Sequence, residues 1–282
     1  MNIQIIHPEA DQYGNSRENI FIALGEQGDY LGSAYAYPAI NHHQTPDTPY
    51  LIYISVDPAE HSDEIVQQEV SRELFNQVLI RARELRALRP DLTARIYGEF
   101  QADQKQRDFY IGTQFEANYS IIMEASIAEG FTYNLPEEIT VQPEDLHSED
   151  RRIVYKERYD TIFITPLNLD TLAEQGRHPH FRNLSFRRDG RLLGGCTFWA
   201  ADVCGYIETL YVMPEARGTG IAKVIMHYIF DYFLANGMNL ARLEVWELNT
   251  RAVALYRSLG FTKVEQKTMF PGITLQPPLH PL

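Results

Sequence analysis

Six consecutive residues in the second half of the chain combine small size with positive charge: Arg217-Gly218-Thr219-Gly220-Ile221-Ala222. They stand between a strand-like run and a helical run. Their backbone N–H groups therefore fall at a helix N-terminus, where intrahelical acceptors are missing and the peptide dipoles add positive charge. The glycines let an anion approach the backbone, and Arg217 adds a full charge. This combination predicts a pyrophosphate site.

Other phosphate-binding loops fit this segment less well. A dinucleotide-binding fingerprint requires glycine where Lys223 stands, and a P-loop requires Gly-Lys-Ser/Thr after four spacer residues, which the sequence lacks. The competing interpretation is a glycine-rich turn that only joins a strand to a helix. The arginine, the small first helical turn and the flanking elements together favour the anion site.

The segment from Glu208 to Ala222 resembles motif A of the GCN5-related N-acetyltransferases (GNAT), whose signature is Gln/Arg-x-x-Gly-x-Gly/Ala. The run from Asn249 to Phe261 resembles motif B of the same family. The two motifs follow each other in the family's order, and the resemblance covers residues 140–282. Two motifs in order are far more specific than either alone.

The resemblance implies an acetyl-CoA site that needs no metal. The pyrophosphate of the co-substrate would lie on residues 217–222. The pantetheine arm would pair with the backbone of the strand that holds Leu210, Tyr211 and Val212. This strand and the strand ending near Trp246 would splay apart, and an amine would attack the thioester directly in the gap.

Acyl transfer to an amine also needs two proton movements, one from the ammonium group and one to or towards the departing thiolate. Tyr256 lies seven residues after Asn249, which is close to two helical turns, so both lie on nearly one helix face. The resemblance makes Tyr256 the acid and gives Asn249 a role in holding the co-substrate. Without the resemblance, Tyr256 would be interpreted as a packing residue.

Glu208 is the candidate base, acting directly or through a water molecule. It interrupts an apolar strand beside the expected gap, and burial there would raise its pKa towards that of a base. The alternative is an outward-facing strand residue, and the sequence leaves both open. Glu244 and Glu247 are weaker candidates. The two cysteines, Cys196 and Cys204, match no catalytic position and are expected to pack in strands or loops.

The elements that would position these residues form a β-meander followed by alternating helices and strands. Strands are predicted over 184–188, 191–199, 206–212, 240–246 and 261–270, with helices over 221–235 and from a cap at 249 or 250 to 259. This order predicts an α/β fold with a mixed sheet.

The first half repeats the order in weaker form. The run 51–58 echoes 210–214, and Tyr110 and Phe115 repeat the spacing of Tyr256 and Phe261. We predict two tandem GNAT-like domains, each a mixed, mostly antiparallel twisted sheet flanked by helices. Their predicted bounds are residues 1–137 and 138–282, with the junction at the polar segment around Pro136.

The first of these domains is predicted to be a degenerate copy without a phosphate loop. No glycine occurs between Asp57 and Tyr97, and the expected loop holds Glu60, Asp63 and Glu64, which would repel a pyrophosphate. One acetyl-CoA per chain is therefore expected. The sequence leaves two roles open for this domain: a wall of the acceptor pocket or a homodimer interface.

The net charge of −13 is carried entirely by residues 1–140, which hold 9 Lys+Arg and 22 Asp+Glu, giving 9 − 22 = −13. This balance disfavours a nucleic-acid partner. Two interpretations of the acidic residues stay open: a solvated surface that aids solubility, and a field that attracts a cationic acceptor, such as a polyamine, an aminoglycoside-like amine, a peptide N-terminus or a lysine. Residues 150–183 and the tail from Thr268 are expected to build the acceptor pocket.

Two cysteines, no signal-like start and no apolar run of about 18 residues predict a cytoplasmic protein without a membrane segment. The function that these patterns favour is an acetyl-CoA-dependent N-acetyltransferase acting on a primary amine. The main alternative is a non-catalytic acyl-CoA-binding module for sensing or regulation. A structural α/β protein without any coenzyme A site is the third possibility.

Overall fold

Two mixed sheets carry the fold in the computed structural model, which describes residues 2–42, 45–101, 103–163 and 165–277. The strands are β1 Gln4–Ile6, β2 Ile20–Leu24, β3 Tyr30–Ile40, β4 Tyr50–Pro58, β5 Ala94–Tyr97, β6 Phe100–Gln101, β7 Tyr119–Ser126, β8 Thr140–Pro143, β9 Arg182–Arg188, β10 Arg191–Ala201, β11 Cys204–Val212, β12 Leu240–Trp246, β13 Thr262–Met269 and β14 Gly272–Leu275. The helices are α1 Glu64–Ala87, α2 Gln104–Gly112, α3 Glu149–Ile162, α4 Leu169–Gln175, α5 Ile221–Ala235 and α6 Thr250–Ser258. The predicted α/β class, with mixed sheets flanked by helices, is confirmed.

The chain divides into two compact units. Unit 1 holds the described residues up to Asn118 and those from Thr268 onward, and unit 2 holds residues 119–267. These bounds differ from the predicted 1–137 and 138–282. They also place the tail from Thr268 in unit 1.

Two strands account for the difference in bounds. Strand β7 precedes the predicted junction, yet it pairs with β12 of unit 2 along its length, from Ser126 opposite Leu240 to Ser120 opposite Trp246. Strand β14 lies near the C-terminus, yet it pairs with β5 of unit 1. Unit 1 therefore contains a strand from the far end of the chain, and unit 2 contains a strand that lies before the predicted boundary.

Unit 1 is built on a sheet in the order β1-β2-β3-β4-β5-β14. Strands β2, β3 and β4 form an antiparallel meander, and β4 then pairs in parallel with β5 after the long helix α1. This parallel pairing covers only Tyr50–Tyr53 opposite Ala94–Tyr97, although β4 continues to Pro58.

Unit 2 has its strands in the order β13-β7-β12-β11-β10-β9-β8. Strands β9, β10 and β11 form an antiparallel meander, and β11 pairs in parallel with β12 after helix α5. The order of pairings is the same as in unit 1. The shared order of pairings supports the prediction of a repeated domain, which had rested on short sequence similarities between the two halves.

Helix α5 supplies much of the core of unit 2. Its residues Ile225, Ile229 and Phe233 are fully buried and recur at four-residue steps, which places them on one face. Each such side chain contributes about 1.5–3 kcal/mol on burial. The close fit needs a glycine on β11, because a Cβ atom at Gly205 would lie 2.2 Å from the Phe233 ring.

Candidate functional site

The loop between β11 and α5 presents a run of backbone amides without acceptors. A 3₁₀ turn at Pro214–Ala216 ends with the Arg217 N–H donating to the Pro214 oxygen at 3.2 Å. The next amide with an acceptor is Lys223, which donates to the Gly220 oxygen at 3.0 Å. Among the described residues, the five amides of residues 218–222 between them have no acceptor. This is the arrangement that an anion requires.

The two glycines of this loop are required by backbone conformation. Gly218 has φ +76° and Gly220 has φ +86°, values at which a residue with a side chain is strained. A Cβ atom at either position would meet no atom within 4 Å, so the surrounding protein leaves the space above both residues open. The Thr219 hydroxyl holds the loop by donating to the Ala216 oxygen at 2.7 Å.

Two arginines bring positive charge to the loop. Burial lowers the pKa of Arg217, and the neighbouring Arg251 lowers it further, while Glu215 acts in the opposite direction. A second guanidinium group close enough to lower the pKa of Arg217 is compatible with an anion between or beside the two arginines. Arg251 lies in the first turn of α6 and was not among the predicted site residues, although it stands inside the motif B segment.

Strands β11 and β12 diverge beside this loop. Their parallel pairing ends at Ile207 and Leu243, whereas β11 stays paired with β10 as far as Val212. Strand β12 meanwhile stays paired with β7 as far as Trp246. The second half of β11 therefore has an open edge towards β12 among the described residues. The predicted gap exists, and it lies at Leu210–Val212 as the resemblance implied.

Tyr256 lies on α6 with its ring buried and 5.7 Å from the ring of Phe261, measured between centroids. Burial raises its pKa to about 12, so the phenol is neutral at physiological pH. Its hydroxyl has no hydrogen-bond partner within the described part of the chain. Asn249 caps the same helix, because its Oδ1 accepts from the Ala252 N–H at 3.2 Å. The side-chain NH₂ of Asn249 is left free to donate, as far as the described residues show.

Glu208 occupies a β-bulge in the middle of β11. Thr197 of β10 faces Thr209 and Phe198 faces Ile207, so Glu208 has no counterpart on β10. Its side chain is exposed, and its Oε1 accepts from Gln175 Nε2 at 3.0 Å. The expected burial of Glu208 is therefore not observed, and its side chain faces solvent. Bulges re-aim side chains and are frequent next to active sites.

The competing carboxylates on and after β12 are neutralised by lysines. Glu244 accepts from Lys267 Nζ at 2.7 Å, and Glu247 lies 3.4 Å from Lys263 Nζ. A carboxylate already engaged by a lysine is less available to contact an incoming ammonium group. Glu208 has only a neutral amide as its partner, which leaves it the better candidate of the three.

The comparisons with known proteins agree with this geometry. Residues 141–261 match the family model described as the acetyltransferase (GNAT) family. This part of the chain is a GNAT acetyltransferase domain. The solved structure of a GCN5-related N-acetyltransferase from Anabaena variabilis aligns over 95% of this chain and 72% of that protein's chain. The TM-score is 0.53 and the sequence identity is 10%, which shows a shared fold.

Two curated relatives of this GNAT domain are informative. The thialysine N-epsilon-acetyltransferase of Bos taurus is 42% identical over 55 residues, which are 20% of this chain and 32% of that protein. The IAA acetyltransferase of Azospirillum brasilense is 35% identical over 98 residues, which are 34% of this chain and 61% of that protein. The chain thus spans about a third to three fifths of the length of these relatives.

An aromatic row lines the α3 side of the GNAT domain near Glu208. The rings of Tyr155 and Tyr159 are 6.1 Å apart, those of Tyr159 and Phe163 are 4.4 Å apart, and Phe163 is 6.4 Å from Tyr211. The pKa of Tyr159 is raised by burial, by Tyr155 and by the charge of Glu208. This row was not predicted from the sequence, although the four-residue spacing of its α3 members is typical of one helix face.

The cysteines of the GNAT domain are not nucleophiles. Both are buried, and burial raises the pKa of each thiol. A buried thiol in apolar surroundings stays protonated and inert. This agrees with the prediction that Cys196 and Cys204 are packing residues.

The described residues contain neither a metal-binding group nor a membrane-spanning helix. Within residues 2–42, 45–101, 103–163 and 165–277, no three His, Cys, Asp or Glu side chains are grouped so that they could hold a metal ion. The helices found in these ranges are all too short or too polar to cross a membrane.

Proposed function

We propose that this protein transfers an acetyl group from acetyl-CoA to the nitrogen of a primary amine. The observation that carries the proposal is the run of five amides without acceptors at residues 218–222, at the N-terminus of a 15-residue helix. A pyrophosphate is the ligand for which this arrangement is best suited. Both curated relatives are named acetyltransferases, and the bovine one is named for acetylation at an Nε atom.

The residues on and around the loop fit the donor that this function needs. Residues 217–222 would hold the pyrophosphate, with Arg251 as a second source of positive charge. The open edge of β11 at Leu210, Tyr211 and Val212 would pair with the amide groups of the pantetheine arm. The free NH₂ group of Asn249 would donate to the same ligand.

Glu208 takes the proton that the acceptor must lose. A primary ammonium group has a pKa near 10.4, so the amine is mostly protonated and lacks a lone pair at neutral pH. Because the Glu208 carboxylate is exposed, water can reach it and relay the proton. Bound acetyl-CoA supplies an activated acetyl group on a thiolate leaving group. The amine nitrogen forms the new bond to the carbonyl carbon, and the sulfur leaves with the electron pair of the broken C–S bond.

Tyr256 stabilises the departing sulfur by donating a hydrogen bond. Its pKa of about 12 exceeds the pKa of about 8.5 of an ordinary thiol. Complete proton transfer across this difference of about 3.5 units would be uphill by about 5 kcal/mol. A neutral donor that is already held in place by burial need not reorganise when negative charge develops on the sulfur. Its hydrogen bond therefore stabilises the transition state at full strength. We therefore assign Tyr256 the role of a hydrogen-bond donor to the thiolate.

The acidic residues of 1–140 support a cationic acceptor, such as a polyamine or a lysine side chain. Charge of one sign raises the local concentration of the opposite ion and its rate of encounter. The acceptor class is thus part of the proposal, and a panel of amines of different charge tests it.

The test is release of free thiol from acetyl-CoA by the purified full chain with a panel of amines. We expect release that depends on the amine and is fastest with di- and polyamines. Glu208→Gln should lower kcat roughly 10²-fold, the lower end for loss of a general base, because water partly replaces an exposed carboxylate. Glu247→Gln is the matched control, because that carboxylate pairs with Lys263, and it should leave kcat unchanged. Tight binding of coenzyme A without amine-dependent release would favour the sensing module instead.

We also propose that each chain binds one coenzyme A. In unit 1 the N-terminus of α1 is already occupied by a carboxylate, because Asp63 Oδ1 accepts from the Ile65 N–H at 2.9 Å. Glu60 and Glu64 add negative charge beside it. Titration calorimetry with coenzyme A should therefore give a stoichiometry of one. A fit that requires two equivalent sites per chain would contradict both this expectation and the degenerate character of the first domain.

A further inference from the structure

A cavity in unit 2, away from the loop 217–222, is lined by basic side chains. It has a volume of about 840 Å³ and lies among the end of β8, the start of α3, the end of α4 and the start of β9. Sites for small molecules are typically about 300–1,000 Å³. Six of its lining residues are basic: His147, Arg152, Arg177, His178, His180 and Arg182. We call it the basic cavity.

The positive charge of the basic cavity is poorly compensated. Its lining carboxylate, Glu144, is already paired with Arg158 at 3.1 Å. The Arg177 side chain is exposed and makes no hydrogen bond or ion pair with any described residue. Arg152 donates from Nη1 to the carbonyl oxygens of Leu146 and His147, which are neutral acceptors. An anion entering here would meet charges that no carboxylate compensates.

Two buried donors at the cavity lack acceptors. Asn183 lines the cavity with 5% of its surface exposed, and its Nδ2 has no hydrogen-bond partner among the described residues. The Nε atom of Arg152 is also buried and also has no hydrogen-bond partner among the described residues. A buried donor left unsatisfied costs about 1–3 kcal/mol. A ligand oxygen that accepted from Asn183 and Arg152 would remove this cost.

We propose that the basic cavity binds a small organic phosphate. Three arginines and a buried amide offer more donors than the two oxygens of a carboxylate accept, whereas a phosphate group has three oxygens and matches the guanidinium fork. The volume exceeds what a bare phosphate fills, and Leu172 and Phe181 offer apolar contact to the organic part. No residue of the loop 217–222 lines this cavity. Residues 150–183, which were expected to build the acceptor pocket, supply most of this lining. Because its positive charge would repel a cationic acceptor, we assign the cavity to a ligand other than the two substrates of the proposed function.

The test is calorimetric titration of the full chain with inorganic pyrophosphate in the presence of saturating coenzyme A. We expect Arg177→Ala and Asn183→Leu each to weaken pyrophosphate binding at least about tenfold, as loss of a charge-assisted or buried donor does. Arg151→Ala is the matched control: it removes the same charge from an exposed arginine outside the cavity and should change binding less than twofold. Because the Arg177 side chain is exposed and makes no hydrogen bond or ion pair with a described residue, its replacement should leave folding intact.

Three results would overturn the proposal. The first is the absence of pyrophosphate binding to the wild-type chain. The second is an equal loss in Arg177→Ala and Arg151→Ala, which would show attraction by net charge alone. The third is tighter binding of citrate than of pyrophosphate with the same dependence on Arg177, which would assign the cavity to carboxylates. The comparison of the two arginine variants locates the site whatever the loop 217–222 binds.

Discussion

Replacing Gly220 with aspartate raises the dissociation constant for coenzyme A at least about 10²-fold, whereas asparagine at the same position raises it no more than about tenfold. The two replacements have the same size and shape, and Asp and Asn are the residues with side chains that adopt a positive φ most readily. They differ only in charge. A carboxylate about 4 Å from a phosphate oxygen costs about 4 kcal/mol at an effective dielectric constant of 20, which corresponds to about 10³-fold in affinity.

Titration calorimetry of the two variants measures the difference, and thermal unfolding shows that each is folded. Gly237→Asp provides the control for stability, because Gly237 follows the same helix with φ +84° and open surroundings, but lies at the opposite end from the loop. It should leave coenzyme A binding unchanged. Equal affinities of Gly220→Asp and Gly220→Asn for coenzyme A would show that no phosphate of the ligand binds at this loop. That result would contradict the acetyl-CoA proposal.

Replacing Tyr256 with phenylalanine lowers kcat about 10²–10³-fold, the cost of losing one preorganised hydrogen-bond donor to a developing charge. The KM for acetyl-CoA should change little, because the hydroxyl acts on the departing thiolate. Since burial raises the pKa of Tyr256 to about 12, the phenol stays protonated below that pH. The rise of kcat/KM with pH up to about 10, as the acceptor amine loses its proton, then contains no contribution from Tyr256. The variant should keep the shape of this profile at a lower level.

Steady-state thiol release under conditions where chemistry limits the rate measures the effect. Tyr228→Phe is the matched control, since Tyr228 is a partly buried tyrosine of α5 whose ring packs edge-on against Phe186. It should keep wild-type turnover. Unchanged kcat in Tyr256→Phe would remove Tyr256 from the chemistry and leave it a packing partner of Phe261.

The local features of the site could be predicted from the sequence. Helix α5 has the predicted bounds, 221–235, because its apolar residues recur at helical spacing and glycines stand shortly before and after it. The cap at Asn249 and the strand up to Val212 follow from equally short-range preferences. The loop 217–222 could be predicted for the same reason, because unpaired amides at the start of a helix do not depend on distant residues.

The bounds of the two units could not be predicted in this way. The polar junction around Pro136 looked like a domain boundary, yet β7 before it pairs with β12 more than a hundred residues later. Pairings between distant segments depend on the free energy of the whole sheet and not on local composition. For the same reason the position of β14 could not be predicted, because its partner β5 lies far from it in sequence.

By itself, then, the sequence determined where a glycine turn with unpaired amides lies, which helix follows it and which family the second half resembles. Only the tertiary structure decided that Glu208 is an exposed bulge residue, that Arg251 approaches Arg217, and that six basic side chains from separate segments share one cavity. Turns and caps are set by neighbouring residues along the chain. Exposure and the convergence of charges are set by strand register and packing, which join residues far apart in sequence.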